Sequence, residues 1–251
     1  MLAVISPAKT LDYRRPIPPL TPTRPRFDSE AERIAAAASR LSRKRLEELM
    51  HISPKLAALN ADRFRHFADA PERPAIYAFA GDVYTGFEVH SLDEEALLFA
   101  QDHLRILSGL YGLLRPLDAI RPYRLEMGTR WAPRKRDLYS FWEGRIADTL
   151  EEDLDAQGDR TIVNLASKEY WTALGRHLQA GTRVIEIDFR EEGPSGLRFN
   201  TFAAKRARGM MARYICEHRL DNPEALKAFD WDGYSFDGAN SDEASWRFRR
   251  S

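Results

Sequence analysis

The chain has 251 residues, with equal numbers of acidic and basic side chains, 38 of each. Hydrophobic residues make up 43% of it, which excludes global disorder and supplies a full core. The zero net charge excludes the bulk basicity of a histone-like protein but leaves room for a local basic face. Only seven of the basic residues are lysines; the arginine excess suits phosphate contacts but also follows from high-GC coding.

Cys216 is the single cysteine, so the sequence offers no internal disulfide and no cysteine-based zinc or iron–sulfur centre. No stretch approaches the roughly 18 apolar residues of a membrane span. The apolar run Leu2–Ile5 is far too short for a signal peptide. We therefore expect a cytoplasmic protein that contacts no membrane.

The pattern of apolar residues predicts one mixed α/β domain over residues 1–251, with a central mixed or partly barrel-like sheet wrapped by helices. Nearly continuous apolar runs predict strands covered on both faces at Leu2–Ile5, Ala75–Ala80 and Thr161–Leu165. Two hairpins are predicted, one joining Arg183–Arg190 to Leu197–Phe202 and one joining Tyr234 and Phe236 to Trp246 and Phe248. Helices are predicted over residues 28–40, 42–50, 54–67, 92–107, 144–155, 168–179 and 203–219.

Residues 42–67 predict two helices joined by a three-residue turn. Ser53 is a favourable N-cap and Pro54 a favourable first residue for the second helix. The pair resembles a helix–hairpin–helix unit, which aims backbone N–H groups at phosphates. The Gly-x-Gly turn of such units is absent, so an ordinary helical hairpin in the wall of the fold is the alternative. In the first reading, Lys55 is a candidate phosphate ligand.

Charged residues follow three of the predicted strands: Lys9, Asp82 and Lys168. If those strands are parallel neighbours, their carboxyl ends share one edge, where open α/β sheets bind ligands. These three residues are therefore our candidate catalytic group, and Ser167 is expected to cap the helix that begins at Lys168. Ordinary salt bridges at the rim are the alternative. Ser-Pro-Ala-Lys-Thr at residues 6–10 lacks the glycines of a P-loop, so nucleotide hydrolysis has no support.

The helix predicted at 203–219 has an apolar arc and an opposite face that is largely basic. Such a face tracks phosphates, although a merely solvated surface is the alternative. An extended segment at residues 121–126 places Arg124 and Glu126 on one side, as an ion pair or as part of a cleft. Besides Lys55, the candidate nucleic-acid contacts are Arg115, Arg124, Lys205, Arg206, Arg208 and Arg213.

Metal binding has little support in the sequence. Glu48 and His51 form one Glu-x-x-His, but di-iron bundles need two such motifs and two further glutamates. The other histidines have no ligand spacing. We therefore predict neither a metal site nor a required cofactor.

Several segments in this order resemble the peroxide stress protein YaaA family over nearly the whole chain. They are Ile-Ser-Pro-Ala-Lys-Thr-Leu-Asp-Tyr at 5–13, Gly-Asp-Val-Tyr-Thr-Gly at 81–86, Leu-Ser-Gly-Leu-Tyr-Gly-Leu-Leu-Arg-Pro-Leu-Asp at 107–118, Pro-Tyr-Arg-Leu-Glu-Met-Gly at 122–128, Asn-Leu-Ala-Ser at 164–167 and Lys-Arg-Ala-Arg-Gly at 205–209.

The resemblance implies a cytoplasmic bacterial protein of one unusual α/β domain that limits unincorporated iron, and hence Fenton damage to DNA, under hydrogen peroxide stress. It also implies DNA binding, duplex or distorted, through a helix–hairpin–helix and a basic cleft. Two alternatives stay open: a lysine-dependent glycosylase or lyase acting on damaged nucleic acid, and an enzyme acting on a small phosphorylated ligand in the Lys9/Asp82/Lys168 cleft.

Overall fold

The computed structural model describes residues 1–194 and 196–250. Within them, one open mixed sheet contains the strands β1 (Leu2–Ile5), β5 (Leu104–Ser108), β6 (Gly112–Leu114), β8 (Thr161–Leu165), β9 (Arg183–Gly193), β10 (Gly196–Arg198), β11 (Tyr234–Phe236) and β12 (Ser245–Arg250). They lie in the order β11-β12-β9-β8-β1-β5-β6, and β10 pairs with β9. Two short pairs lie outside it, β2 (Thr10–Leu11) with β4 (Phe79–Ala80) and β3 (Arg73–Pro74) with β7 (Ala119–Ile120).

Helices cover the sheet, as predicted for a mixed α/β fold. They are α1 (Asp28–Ala38), α2 (Arg43–Met50), α3 (Pro54–Arg65), α4 (Ala75–Ala78), α5 (Asp82–Phe87), α6 (Glu94–His103), α7 (Leu138–Trp142), α8 (Arg145–Gln157), α9 (Lys168–Trp171) and α10 (Thr201–Glu217). Across the described residues none of them is long and apolar enough to span a bilayer.

The core of the sheet is parallel. Strand β1 lies between β5 and β8, with Ala3 opposite both Leu104 and Val163, and β9 continues the parallel arrangement on the far side of β8. Strand β1 is completely buried, which explains why it carries apolar residues on both faces. The carboxyl ends of these strands therefore lie along one edge of the sheet. The sheet stays open rather than closing into the partly barrel-like form that the sequence suggested.

The prediction of a strand at Ala75–Ala80 is wrong for most of its length. Residues Ala75–Ala78 form the short buried helix α4, and only Phe79–Ala80 is extended, antiparallel to β2 rather than within the central sheet. All four residues of α4 are buried. A continuous apolar run is compatible with a buried strand and with a buried helical turn, so the pattern alone does not separate them.

Two predicted helices are too long. The helix predicted to reach residue 107 ends at His103, and the chain passes directly into the buried strand β5. Gly109 lies in the turn between β5 and β6, and Gly112 is the first residue of β6. The helix predicted over 168–179 ends at Trp171, followed by a short 3-10 turn at Gly175–His177.

Both predicted hairpins are confirmed in their pairing. Strands β9 and β10 pair antiparallel, with Leu197 opposite Glu192, and β11 pairs with β12, with Phe236 opposite Phe248. Residues beyond Arg198 leave the strand and lead into α10. Because β9 extends past the carboxyl end of β8, β10 and the start of α10 lie beyond that strand end.

Candidate functional site

The carboxyl ends of β1 and β8 are tied together by two serines. The backbone N–H of Ser167 donates to Ser6 Oγ at 2.8 Å, and the two hydroxyl oxygens are 3.3 Å apart. Tyr84 Oη donates to the backbone carbonyl of Ser6 at 3.1 Å. Burial raises the pKa of Tyr84 well above its ordinary value, so its phenol stays protonated and serves as that donor. These contacts hold the loops that carry Lys9 and Lys168 side by side.

Asp82 lies next to the loops that carry the two lysines, but the strand before it is not a parallel neighbour of β1 as predicted. Strand β4 pairs with β2, with Ala80 opposite Thr10, so the residues after Ala80 lie beside the residues before Thr10. A Cβ atom built on Gly81 comes within 3.3 Å of the Ala8 side chain, which shows how closely the two segments approach. The prediction that Asp82 joins the two lysines is therefore confirmed, although its strand is not part of the parallel sheet.

Lys9, Asp82 and Lys168 all line one cavity of about 550 Å³, which we call the strand-end cavity. This volume is within the range of small-molecule sites. Besides those three, the charged residues in its wall are Glu169, Lys205 and Arg208. The sequence thus correctly brings its candidate catalytic group together, and the structure adds two cations from α10.

The expectation that Ser167 caps a substantial helix is wrong. Ser167 stands at the N-cap position of α9 but makes no side-chain cap bond, and the helix has only four residues. Its N–H is instead used by Ser6. Ligand binding at this edge must therefore depend on side chains rather than on the amino terminus of a helix.

A second cavity of about 720 Å³ adjoins the first and is bordered by the end of α2, so we call it the hairpin cavity. Lys9 and Glu169 line both cavities. The α2–α3 turn is built without glycine because His51 itself adopts the left-handed conformation, with φ of 50°, and Ser53 Oγ accepts the N–H of Leu56. We call these two adjoining cavities together the cleft, which extends from the α2–α3 hairpin to α10.

Between the cavities, Glu126 holds two cations. Its Oε1 accepts from Arg124 Nε at 3.0 Å and lies 3.4 Å from Lys9 Nζ. The prediction of an extended segment here is confirmed, since Tyr123 and Leu125 are buried on one side while Arg124 and Glu126 face the cleft. The other carboxylate oxygen of Glu126 is buried and has no hydrogen-bond partner in the described chain. Arg124 is thus partly neutralised, and Glu126 keeps one acceptor free.

Helix α10 is covered on more sides than its sequence suggested. Lys205 and Arg206 are exposed as predicted, but Arg208 is half-buried, because α10 packs both on α5 and against β9. Burial lowers the pKa of Arg208, and the nearby carboxylates Asp188 and Glu186 partly offset that effect. Its Nε is buried with no acceptor among residues 1–194 and 196–250. Arg208 therefore points a constrained guanidinium at the strand-end cavity.

Arg213 makes its hydrogen bonds and its ion pair within the protein. Its guanidinium donates to the carbonyl oxygens of Phe87 and Glu88 and to Ser91 Oγ, and it pairs with Glu217 at 2.5 Å. The side chain is only 12% exposed. It closes the carboxyl end of α5 against α10, so its donors are already used within the protein.

Two further predicted contacts lie away from the cleft. Lys55 is exposed on the first turn of α3 and lines neither cavity. Arg115 follows β6, which runs antiparallel to β5, so it lies at the opposite edge of the sheet from Lys9. There its guanidinium pairs with the buried Asp118 at 3.4 Å.

Sequence reasoning missed several residues of the cleft. Glu169 follows Lys168 at the same strand end, so the rule that selected Lys168 could have found it. Arg45 and Arg130 line the hairpin cavity, but neither follows a strand of the sheet, and no pattern marks them. Over the described ranges, no three histidine, cysteine or acidic side chains are grouped to hold a metal ion.

An open mixed sheet wrapped by helices, with lysine and arginine side chains around a cleft at its parallel strand ends, places the chain among the mixed α/β proteins. The family model for peroxide stress protein YaaA matches residues 1–240, and the chain belongs to that family. A UPF0246 protein of Rhizorhabdus wittichii is 61% identical over 249 residues, covering 99% of this chain and 98% of the relative. A UPF0246 protein of Saccharophagus degradans is 46% identical, covering 100% and 99% respectively. The family supports a role in peroxide stress.

Proposed function

We propose that this protein acts in the cytoplasm under peroxide stress, binds DNA in the cleft between the α2–α3 hairpin and α10, and thereby limits iron-dependent oxidative damage. The observation that carries DNA binding is that two cavities lie side by side, with Lys9 and Glu169 in both walls. A nucleic acid is a long polyanion, and two adjoining cavities lined by cations suit such a ligand better than an isolated pocket does.

The charges along the cleft support a phosphate-led mode. Lys168 and Lys205 are exposed and line the strand-end cavity, and Arg206 is exposed next to Lys205 on α10 without lining either cavity. None of the three forms an ion pair within 4 Å in the described part of the chain. Arg45 and Arg130 extend the basic lining at the hairpin end. Phosphate contacts of this kind position the duplex without reading sequence. We therefore infer binding with little sequence preference.

Fluorescence anisotropy with a labelled duplex over a salt series tests DNA binding. The informative variant is Lys205→Gln/Arg206→Gln, which removes two exposed cations from α10. If both contact phosphates, affinity falls and the slope of log affinity against log salt decreases by about 2. The matched control is Arg33→Gln/Arg40→Gln, which removes one exposed cation from α1 and one from the turn that follows it, neither of which lines a cavity.

Equal losses in the two double variants would show bulk attraction rather than a site on α10. Absence of duplex binding at low micromolar protein and low salt would refute the proposal. The link to peroxide is tested in cells that lack their own copy of the protein. The native chain should restore survival under hydrogen peroxide and lower unincorporated iron, and Lys205→Gln/Arg206→Gln should restore neither.

An enzymatic function is the second candidate, supported by Lys168 and Asp82 lining one cavity without an ion pair between them. A neutral lysine attacks C1′ of an abasic sugar and expels water to form an imine, while a carboxylate moves the protons. Borohydride reduces such an imine to a stable adduct. Trapping on abasic DNA that is lost in Lys168→Gln would support this function, and no adduct with the native protein would exclude the lyase reaction.

A further inference from the structure

Three cations face the strand-end cavity without partners of their own. Lys168, Lys205 and Arg208 form no ion pair within 4 Å in the described ranges, whereas Lys9 is committed to Glu126. The cavity therefore presents more positive charge than its walls neutralise.

The two acidic residues in that cavity do not cancel this charge. Glu169 Oε1 accepts the backbone N–H of Gly128 at 2.9 Å, which directs its carboxylate toward the hairpin cavity. Asp82 is the one acidic group of the wall with no described partner. Counted over the whole wall, the four cations Lys9, Lys168, Lys205 and Arg208 face the two carboxylates Asp82 and Glu169. This excess of cations suits the charge of a phosphate monoester near neutral pH.

Arg208 supplies a hydrogen-bond donor for a ligand in the strand-end cavity. Its Nε is buried and has no acceptor within the residues that the structure describes, so one strong donor is left unused in the protein. A buried donor without an acceptor destabilises the free protein, and a ligand oxygen placed there removes that cost. Arginine presents parallel donors that fit two phosphate oxygens, and the lysines add point charges around the third.

The floor of the cavity is preorganised. The Ser6–Ser167 contact fixes the two strand-end loops, and the close packing of α5 on α10 fixes Asp82 relative to Lys205. The side chains that would meet a ligand thus stand on elements held by buried backbone contacts. No other strand end of the parallel sheet collects such a set in the described structure.

A cavity of about 700 Å³ on the other side of β2 provides a comparison. Its two arginines, Arg14 and Arg63, lie among three aspartates, Asp12, Asp62 and Asp69, so acidic side chains outnumber the arginines there. Size alone therefore does not select the strand-end cavity. The excess of cations over carboxylates in its wall does.

We propose that the strand-end cavity binds a phosphate monoester, the dianionic end group carried by a broken DNA strand or by a free nucleotide. This inference rests on the cleft of the proposed function and names the chemistry of one part of it. A continuous DNA backbone offers only monoanionic diesters, so the cavity favours a phosphorylated strand end over the interior of a duplex.

The first arm of the test uses small molecules. Calorimetric titration at pH 7.5 compares 5′-deoxyadenosine monophosphate with deoxyadenosine and with malonate. We expect the monophosphate to bind at least ten-fold more tightly than both. Arg208→Gln and the more exposed Lys205→Gln should each weaken it at least ten-fold, whereas Arg40→Gln leaves it unchanged. Unfolding curves of each variant separate a lost ligand contact from a lost fold.

The second arm uses dumbbell DNA that is either closed or interrupted by one nick carrying a 5′-phosphate or a 5′-hydroxyl. Tighter binding of the 5′-phosphate nick, lost in Arg208→Gln, identifies DNA ends as the source of the monoester. Tight monophosphate binding without a preference between nicks identifies a free nucleotide instead.

Equal binding of monophosphate and deoxyadenosine, together with equal binding of both nicks, overturns the monoester site. Binding of malonate as tight as that of the monophosphate also overturns it, because a general carboxylate site would then be present. The closed dumbbell tests DNA binding separately. If it binds, the two nicks bind equally and the monophosphate binds no more tightly than deoxyadenosine, the proposed function stands and this inference fails. If it does not bind and the monophosphate does, the reverse holds.

Discussion

Gly209 of α10 lies so close to Val83 of α5 that a Cβ atom built on Gly209 meets the Val83 carbonyl oxygen at 1.8 Å. Gly86 makes the reciprocal approach, with its built Cβ at 2.1 Å from the carbonyl oxygen of Arg206. The two glycines allow backbone-to-backbone packing of the helices that carry Asp82 and Lys205. This crossing sets the width of the strand-end cavity.

Gly209→Ala is therefore expected to destabilise the protein by about 2–3 kcal/mol, because neither backbone can move away without disturbing the core. Urea unfolding measures the change. Gly144→Ala is the matched control, since a Cβ there meets Asp148 at an ordinary 3.6 Å. Similar stability losses for both substitutions would contradict the proposed tightness of the α5–α10 crossing.

Arg213 and Lys205 should separate stability from binding. Arg213→Gln removes donors to Phe87, Glu88 and Ser91, and we expect a loss of about 1–3 kcal/mol in unfolding free energy with little change in DNA affinity. Lys205→Gln should lower the DNA affinity and leave the unfolding free energy nearly unchanged. Urea unfolding and anisotropy measurements on both variants check this. A large loss of DNA affinity in a stably folded Arg213→Gln protein would show that Arg213 contacts DNA.

Asp137 should make a measurable contribution to stability against acid. It caps α7 by accepting the N–H of Ser140 at 2.8 Å. The bonds from Ser140, and then Arg136, lower the pKa of Asp137 in the folded protein. A lowered folded pKa stabilises the protein above the unfolded value of about 4, and that stabilisation disappears as the pH falls through the folded pKa.

Asp137→Ala should therefore lower the unfolding free energy by about 1 kcal/mol at pH 7, and part of this difference should vanish toward pH 3. Urea unfolding at several pH values measures it. Asp137→Asn keeps an acceptor at the cap without a charge, so its deficit should be smaller. A deficit in Asp137→Ala that stays constant from pH 7 to pH 3 would argue against the charged cap.

Cys216 should not react with peroxide in the folded protein. It is 1% exposed within α10, and burial raises the pKa of its thiol far above the ordinary value. Because the thiolate is the reactive form, we expect no labelling by a disulfide reagent at pH 8 until the protein is unfolded. One equivalent of rapid labelling in the native state would show that α10 opens and would make a thiol-based peroxide response possible.

The sequence predicted the fold best where local and tertiary preferences agree. Ser53 and Pro54 mark the start of α3 correctly, because N-cap chemistry is local. Strand β5 was missed, because Leu104–Ser108 continues the apolar pattern of α6 without a glycine or proline, and its pairing with β1 decides its conformation. The same tertiary control makes Ala75–Ala78 a helical turn.

For the site, the rule that parallel strands end at one edge of a sheet placed Lys9 and Lys168 together, and the structure has both in the wall of the strand-end cavity. Asp82 lies in the same wall although β4 is outside the parallel sheet. Arg208 was identified as a cation, but its burial follows from the α5 crossing, which no spacing in α10 reveals. The position of Arg115 at the opposite edge depends on the direction of β6, which the sequence did not show as a strand.

The order of strands has a consequence for how the molecule assembles. Strand β1 pairs with Leu104–Ser108 on one side and with Thr161–Leu165 on the other, about 100 and 160 residues further along the chain. Such distant pairings slow folding, and in a growing chain β1 lacks its β8 partner until Thr161–Leu165 has been synthesised. The loops joined by Ser6 and Ser167 meet only at that stage. The cleft is therefore formed late, and ligand binding reports that the whole sheet has been completed.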